Sequence, residues 1–350
     1  MNFLSNFFHS KQAESVLFID ISAGSVAGAY VHYKKEELPA LLYTRRLPID
    51  AREGEPQERA MQRALEILGS FLIREGAPAL VRYAGRGSVD TILVSVDAPW
   101  QKTDVHTERF ERKDPFVFTR AMVDAALEKT SVVPPGKLLA DESIIGTILN
   151  GYEMRRPYGK KVHRASVLVL TSFIDEKISK SIVTTLKSLF HTKNILSIAG
   201  SSLRYQAMRS IFPHERNVLV LDIIGPLISI ALVRKDLLVA VTEVTDIDIR
   251  NDTGAWLKKV VDEFVKLAEK YPLPRTIFLL AQEPEISSLG QALDAAKLGG
   301  LWLSDNPPKV TPVLASHLVG SVRQITTTSP DLPLLLMTLY WQHRVSEKET

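Results

Sequence analysis

Two aspartates, Asp20 and Asp222, each close a run of apolar strand-formers, Val16–Ile19 and Val218–Leu221, and each opens a turn that contains a glycine, Gly24 or Gly225. A carboxylate at such a strand end can hold Mg²⁺, commonly through the ion's retained waters. Glycine and small residues beside it, here Ser22, Ala23, Gly24 and Ser25, let backbone N–H groups come close to a phosphate. Two such turns, far apart in one chain, can grip a phosphate and its metal from two sides. The plainer role of the same aspartates is as turn formers that bond their own backbone. On the residues alone both roles stay open.

Other chemistries lack their residues. With no cysteine there is no disulfide, thiolate metal site or cysteine nucleophile. No GxxxxGK[ST] loop is present, and Gly85-Arg86-Gly87 is too short for a dinucleotide fingerprint. The eight histidines are scattered singly, none at metal-ligand spacing with another. No serine, histidine and aspartate stand out as a triad, so no catalytic residue is assigned. The densest basic run is Arg155, Arg156, Lys160, Lys161, His163 and Arg164. It reads as a solvated loop, with contact to anionic headgroups or an acidic partner peptide as the alternative. Trp256 sits at regular helical spacing and belongs to a core. Trp100, at a strand exit after Ala98-Pro99, is expected to contact a partner.

At 350 residues, with 45% hydrophobic and 24% charged side chains, the chain suits a soluble protein of two or three domains. A formal charge of +3 gives no concentrated basic face for nucleic acid. No apolar run approaches the ~20 residues of a membrane-spanning helix. The leader, residues 1–14, carries Phe3, Leu4, Phe7 and Phe8 on one helical face but lacks the basic start and apolar core of a signal peptide. It is either a frayed tail or a segment that lies on a membrane or docks a partner.

The elements that must position the aspartates alternate between strand and helix patterns, which implies an α/β chain. After Asp20, Val26–Tyr33 and Pro39–Tyr43 continue as strands, and Glu58–Arg74 is an amphipathic helix stopped by Gly76-Ala77-Pro78. Thr91–Val96 then opens a different unit, with a helix at Thr119–Lys129 and a strand at Glu142–Asn150. The main pattern resumes with a buried strand at Ser166–Thr171 and helices at Asp175–Phe190 and Leu203–Ile211. Beyond Asp222 come strands at Ile228–Val233 and Leu237–Val244, a helix through Trp256 and Leu267, and a last core strand at Thr276–Leu280. The two aspartate hairpins give the chain the look of two related halves.

In that order the chain resembles the actin-like ATPase superfamily, in particular the families of the cell-division protein FtsA and the type IV pilus assembly protein PilM. The resemblance covers about Ser15 to Gln342 and rests on residues 18–26, residues 220–225, Asn150-Gly151-Tyr152 with Gly159-Lys160, and the turn after Ile277–Leu280. It implies a two-lobed actin-like, ribonuclease H-like α/β fold with an inserted strand-helix-strand-strand subdomain of the SHS2 type. The implied divisions are 15–88 for the first part of lobe I, 89–165 for the insertion, 166–205 for the second part of lobe I, 206–309 for lobe II with a reduced fourth subdomain, and 310–350 for a return to lobe I and a polar tail. PilM is the nearer pattern, because the tail is too polar for the membrane helix that ends FtsA.

The resemblance places an ATP pocket at Asp20, Ser22, Ala23, Gly24, Ser25, Asp222, Gly225, Ala281 and Gln282, with Mg²⁺ on Asp20 and Asp222. The pocket departs from the family pattern at several points. Ser22 replaces a glycine, Ala27 a phosphate-binding lysine, and Ile224 and Pro226 two further glycines. Leu227 and Ile228 replace hydroxyl residues, Ser229 an acid, and Ala281 with Gln282 the two glycines of the adenosine turn. Proline has no N–H to offer a phosphate oxygen. The expectation is a weak or non-hydrolysing nucleotide binder, a PilM-like scaffold at the inner face of the cytoplasmic membrane. Its partner would be the cytoplasmic tail of an inner-membrane assembly protein, with self-association or peripheral membrane contact as further options. The alternatives are an active FtsA-like ATPase that tethers division proteins to the membrane, or a small-molecule kinase of the same superfamily.

Overall fold

The computed structural model describes residues 13–130, 132–154, 156–224, 228–235, 237–244, 253–281, 283–296, 298–302, 308–328 and 331–349. Residues 1–12 of the leader, with Arg155, Gly225, Pro226, Leu227 and Gln282, lie outside them.

The chain opens with β1 (Ala13–Ile21), β2 (Ser25–Lys34) and β3 (Ala40–Pro48), an antiparallel meander. Next come α1 (Gln57–Phe71), α2 (Ala77–Ala84) and β4 (Thr91–Val96), which runs parallel to β1. The insertion comprises β5 (Gln101–Val117), α3 (Arg120–Thr130), β6 (Lys137–Leu149), β7 (Tyr152–Glu153) and β8 (Lys161–Asp175). Then follow α4 (Glu176–Phe190), β9 (Ile195–Ala199) and α5 (Gly200–Ile211). The second half repeats the design with β10 (Asn217–Asp222), β11 (Ile228–Arg234), β12 (Leu237–Val244), α6 (Thr253–Ala268), β13 (Thr276–Leu280), α7 (Glu283–Ala295) and β14 (Lys309–Val313). A short α8 (Ala315–Leu318), β15 (Arg323–Gln324) and α9 (Leu332–Glu349) end the chain.

The strands form three sheets, in the orders β15-β3-β2-β1-β4-β9, β12-β11-β10-β13-β14 and β5-β8-β6-β7. The first two are built alike, each an antiparallel meander extended by parallel strands on the far side of its first strand. β1 and β10 read as continuous apolar runs because both faces of each are covered. In β1, Leu17, Ile19 and Ile21 pack with Met61 and Leu65 of α1 and Ile178 and Ile182 of α4. On the opposite face Val16 and Phe18 meet α5 and α9, and Val218, Val220 and Phe278 of the second sheet join the same cluster. The helices α5 and α9 therefore belong to one apolar core shared by the two main sheets. The remaining face of the second sheet is closed by Trp256 and Phe264 of α6 and Leu289 of α7.

The insertion differs from expectation at both ends. Thr91–Val96, read as its first strand, lies inside the first sheet between β1 and β9. Ser166–Thr171, read as a main-body strand, is part of β8 and pairs with β5 and β6 in the inserted sheet. The antiparallel inserted sheet spans Gln101 to Asp175 instead of 89–165. Its apolar run misled because β8 is central: Val167 and Val169 pack with Phe118 and Val123 under α3, while Leu170 faces the main core. The stop expected at Gly76-Ala77-Pro78 is also absent. The helix passes through a π-turn, Leu72–Gly76, into α2, which holds Pro78 in its first turn.

Trp100 is a core residue with 4% of its surface exposed, packed in the same cluster as Ile174 and Val96. The partner contact expected there is corrected. Replacement of Trp100 by Ala is expected to cost about 3–5 kcal/mol of stability in a urea titration, the range for large aromatic truncations in cores. A cost near zero would return the side chain to the surface.

Candidate functional site

Asp20 is next to the last residue of β1, and the register of the first sheet places Ala27 of β2 opposite it and Arg46 of β3 opposite Ala27. Side chains directly opposite one another share a face. The methyl group of Ala27 leaves the way clear, and Arg46 reaches across it. Its Nη2 donates to Asp20 Oδ2 at 2.9 Å and its Nη1 to Ser25 Oγ at 2.7 Å. Nε and Nη2 also donate to Asp331 Oδ2 and Oδ1, at 2.6 and 2.9 Å. Asp331 caps α9, its Oδ1 accepting the backbone N–H of Leu334 at 3.2 Å. One cation thus ties the first hairpin to β3 and to the C-terminal helix.

Asp222 ends β10 and is held by a different arginine. Arg204, on α5, donates from Nε to Asp222 Oδ2 and pairs in fork geometry with Asp97, Nη1 to Oδ2 at 2.8 Å and Nη2 to Oδ1 at 2.7 Å. Asp97 directly follows β4, its N–H bonded to the Ile21 carbonyl at 2.8 Å. Arg204 therefore links the end of a first-sheet strand to the end of a second-sheet strand. All three side chains are buried. Gly200, at the start of α5, makes the approach possible, because a Cβ there would stand 2.3 Å from Asp97 Oδ1.

Four carboxylates surround two guanidiniums, and the electrostatics follow from that excess. Burial pushes the Asp20 carboxyl above its usual range; Arg46 draws it back, and the Asp97 charge adds to the rise. Burial works against the charge on both arginines, but their carboxylate partners outweigh it and hold them more firmly protonated than a free guanidinium. Asp20 Oδ1 is buried and has no hydrogen-bond partner among the described residues. The Asp222 Oδ1 atom accepts from the Ile224 N–H at 3.2 Å.

The first turn closes on itself. The Ser22 N–H bonds the Ser25 carbonyl at 2.9 Å, the two hydroxyls lie 3.1 Å apart, and the Ala23 carbonyl accepts from Gln57 Nε2 at 2.8 Å. The Gly24 carbonyl accepts the N–H of Ile49 at 3.0 Å, and a Cβ on Gly24 would meet nothing within 4 Å. Ala281 is buried just after β13. The sequence pointed to Asp20 and Asp222 but not to Arg46, Arg204, Asp97 or Asp331. Pairs of arginines and aspartates at strand and helix ends were visible, and only the register shows which of them meet.

Among the described residues, this arrangement does not fit a magnesium–nucleotide. Asp20 Oδ2 and Asp222 Oδ2, the acceptors that would hold the ion's waters, are taken by guanidinium groups. Arg46 already uses four N–H bonds and offers no fork to a phosphate. Polyphosphate would also meet four carboxylates. Among the described residues, the unpartnered Asp20 Oδ1 is a feature that would suit a cation.

No protein-family model and no curated protein matches the sequence. Among solved structures, the chain is similar to that of a PilM–PilN type IV pilus biogenesis complex, with 14% identity, a TM-score of 0.58, and 93% of this chain and 98% of that one covered. A Bacteroides thetaiotaomicron protein with an actin-like ATPase fold and unknown function matches at 10% identity and a TM-score of 0.47, covering 95% and 98%. The chain has an actin-like α/β fold of two lobes. Within it, the two aspartate hairpins are the corresponding first turns of the two lobes, and the inserted antiparallel sheet is an extra subdomain. The ethanolamine utilization protein EutJ of Carboxydothermus hydrogenoformans also matches, at 9% identity and a TM-score of 0.42, over 95% of this chain and 89% of its own.

The insertion is seated on this actin-like body by polar groups. Thr103 of β5 bonds Ser201 of α5 at 2.8 Å, Ser202 donates to Asp141 of β6 at 2.7 Å, and Gln101 donates to Glu243 of β12 at 2.6 Å. Burial pushes the Glu243 carboxyl up to about 7; the Gln101 bond opposes this and the Asp97 and Asp104 charges add to it.

Two outcomes follow from this geometry. Arg204→Met should destabilise by about 3–5 kcal/mol, since it leaves buried carboxylates without their cation; the triple variant with Asp97→Asn and Asp222→Asn should recover most of that loss in a chemical denaturation series. Glu243 has a raised folded pKa, so its contribution to stability is full below about 4.5 and lost as pH rises through about 7. Between pH 5 and 8 the parent protein should therefore lose on the order of 2–3 kcal/mol relative to Glu243→Gln, and parallel pH curves would remove Glu243 from the account.

Proposed function

We propose that this protein is a non-hydrolysing scaffold of the PilM kind. It holds a cytoplasmic segment of a membrane assembly protein, in a type IV pilus or related secretion machine, at the seam between its inserted sheet and the two lobes. The observation that carries this reading is the pair of arginines. Each aspartate that would organise magnesium in an active relative is neutralised from within the chain, by Arg46 in one lobe and Arg204 between the lobes.

The seam supports the second half of the proposal. β6 touches both β9 in the first lobe and β12 in the second, and on its outer side pairs with β7 only at Ile148 and Leu149. Leu138 and Ile144 of β6 are exposed, at 37% and 43%. An extended segment could add to such a strand through main-chain hydrogen bonds, with pockets beneath alternate side chains. The structural neighbour described as a PilM–PilN complex is itself an assembly with a second protein.

Calorimetric titration with Mg-ATP, alongside a phosphate-release assay, tests the first half. No heat, no thermal shift and no turnover at millimolar nucleotide are expected. Micromolar binding that disappears in Asp20→Ala, Asp222→Ala would establish a working nucleotide site and overturn the scaffold reading in favour of the FtsA-like one. For the second half, the cysteine-free chain makes Leu138→Cys and Ile144→Cys unique attachment points for a photocrosslinker. Crosslinks in cells to a membrane protein's cytoplasmic segment are expected from both and not from Lys193→Cys; equal labelling from all three would remove the seam as the docking place.

A further inference from the structure

We propose that the far end of the inserted sheet is a docking surface for anionic lipid headgroups, a role independent of the tail-binding seam. The inserted sheet is long and directional. Gln101 pairs with Ile174 at its base, beside α5, and Val117 pairs with Lys161 at its far end. The 15 residues of β8 separate the two ends by roughly 45 Å at the usual rise per strand residue.

The far end gathers charge from two segments, residues 111–114 and 156–164. There Arg112, Lys113, Arg156, Lys160, Lys161 and Arg164 are all exposed. Against these six cations stand Glu111 and Asp114, a formal +4, which exceeds the +3 of the whole chain and leaves the remainder at −1. The basic excess of this protein is therefore local. The Arg164–Glu111 pair is exposed on both sides, 74% and 70%, and such pairs contribute little and release readily.

The same end presents Tyr152 and Tyr158 with 73% and 54% of their surface exposed. Tyr158 is stacked on buried Phe118, with ring centroids 6.0 Å apart, so its outward placement is fixed by the fold. Tyrosine with an apolar ring and a polar tip suits the headgroup layer. Arg112 and Lys113 stand at the irregular end of the edge strand β5, Arg156 and Lys160 on the segment before β8, and Lys161 and Arg164 on the central strand β8, so the cations form a cluster across the end of the sheet and not a row along one edge. That form matches a flat bilayer surface better than an acidic peptide, which needs a channel or a strand to run along.

Vesicle co-sedimentation of the full chain gives the test, with phosphatidylcholine vesicles containing or lacking phosphatidylglycerol, at low and high salt. Binding is expected only to the anionic vesicles and should weaken with salt. Each basic residue near such a surface is worth roughly fivefold in affinity, so Lys113→Glu, Lys160→Glu, Lys161→Glu together should weaken binding by roughly a hundredfold or more. The charge-matched control Lys177→Glu, Lys187→Glu, Lys193→Glu, on exposed sites of the main body, should bind like the parent. Matching melting temperatures would show that each variant folds. Absence of vesicle binding, or binding that survives in the first variant or falls equally in both, overturns the proposal. A poly-glutamate peptide is titrated in parallel, and saturable binding to it without vesicle binding would reassign the surface to an acidic protein partner.

Discussion

The structure turns on how it neutralises carboxylates buried at the ends of its two central strands. Each main sheet is covered on both faces, so Asp20, next to the last residue of β1, and Asp222, the last of β10, lie where water cannot solvate a charge. An isolated carboxylate in such a place is strongly unfavourable, and a cation must come from the ligand or from the chain. Here the chain supplies it twice. The two solutions differ: Arg46 arrives laterally, across its own sheet over Ala27, and Arg204 arrives from a helix that belongs to the core between the sheets.

That difference gives α5 a central position. Its first turn packs on Asp97 through Gly200, its Ser201 and Ser202 hold the inserted sheet, Arg204 joins the two lobes, and Leu203, Ala207 and Met208 enter the shared core. Strand ends of the two lobes are drawn together by an internal ion pair. The insertion is attached both by apolar residues of β8, Leu170 and Ile174, and by hydroxyls, amides and carboxylates.

Much of this was legible in the sequence, and the parts that were not have physical reasons. The hairpins around Asp20 and Asp222 stood out because strands covered on both faces read as unbroken apolar runs ending in turn formers. The same signal failed at Thr91–Val96 and Ser166–Thr171, where an apolar run tells that a strand is buried but not in which sheet. Arg46 was hidden because the strand at Pro39–Tyr43 seemed to end where polar residues begin, whereas β3 continues to Pro48 and turns that arginine inward. The pairing of Arg204 with Asp97 spans 107 residues, and nothing local announces it. Which cations meet Asp20 and Asp222 required the register of the sheets and the placement of α5.

Arg46 also reaches Asp331, a contact 285 residues long, and Trp341 of α9 packs edge-on against Phe18 of β1. The hairpin strands β1 to β3 are thus completed by a helix that lies 285 residues further along the chain. Until α9 emerges, the Val16–Phe18 face of β1 lacks its cover and Arg46 lacks its second carboxylate. The lobe built on β1 therefore depends on closing a contact of very long sequence separation, and it can mature only once α9 has been made.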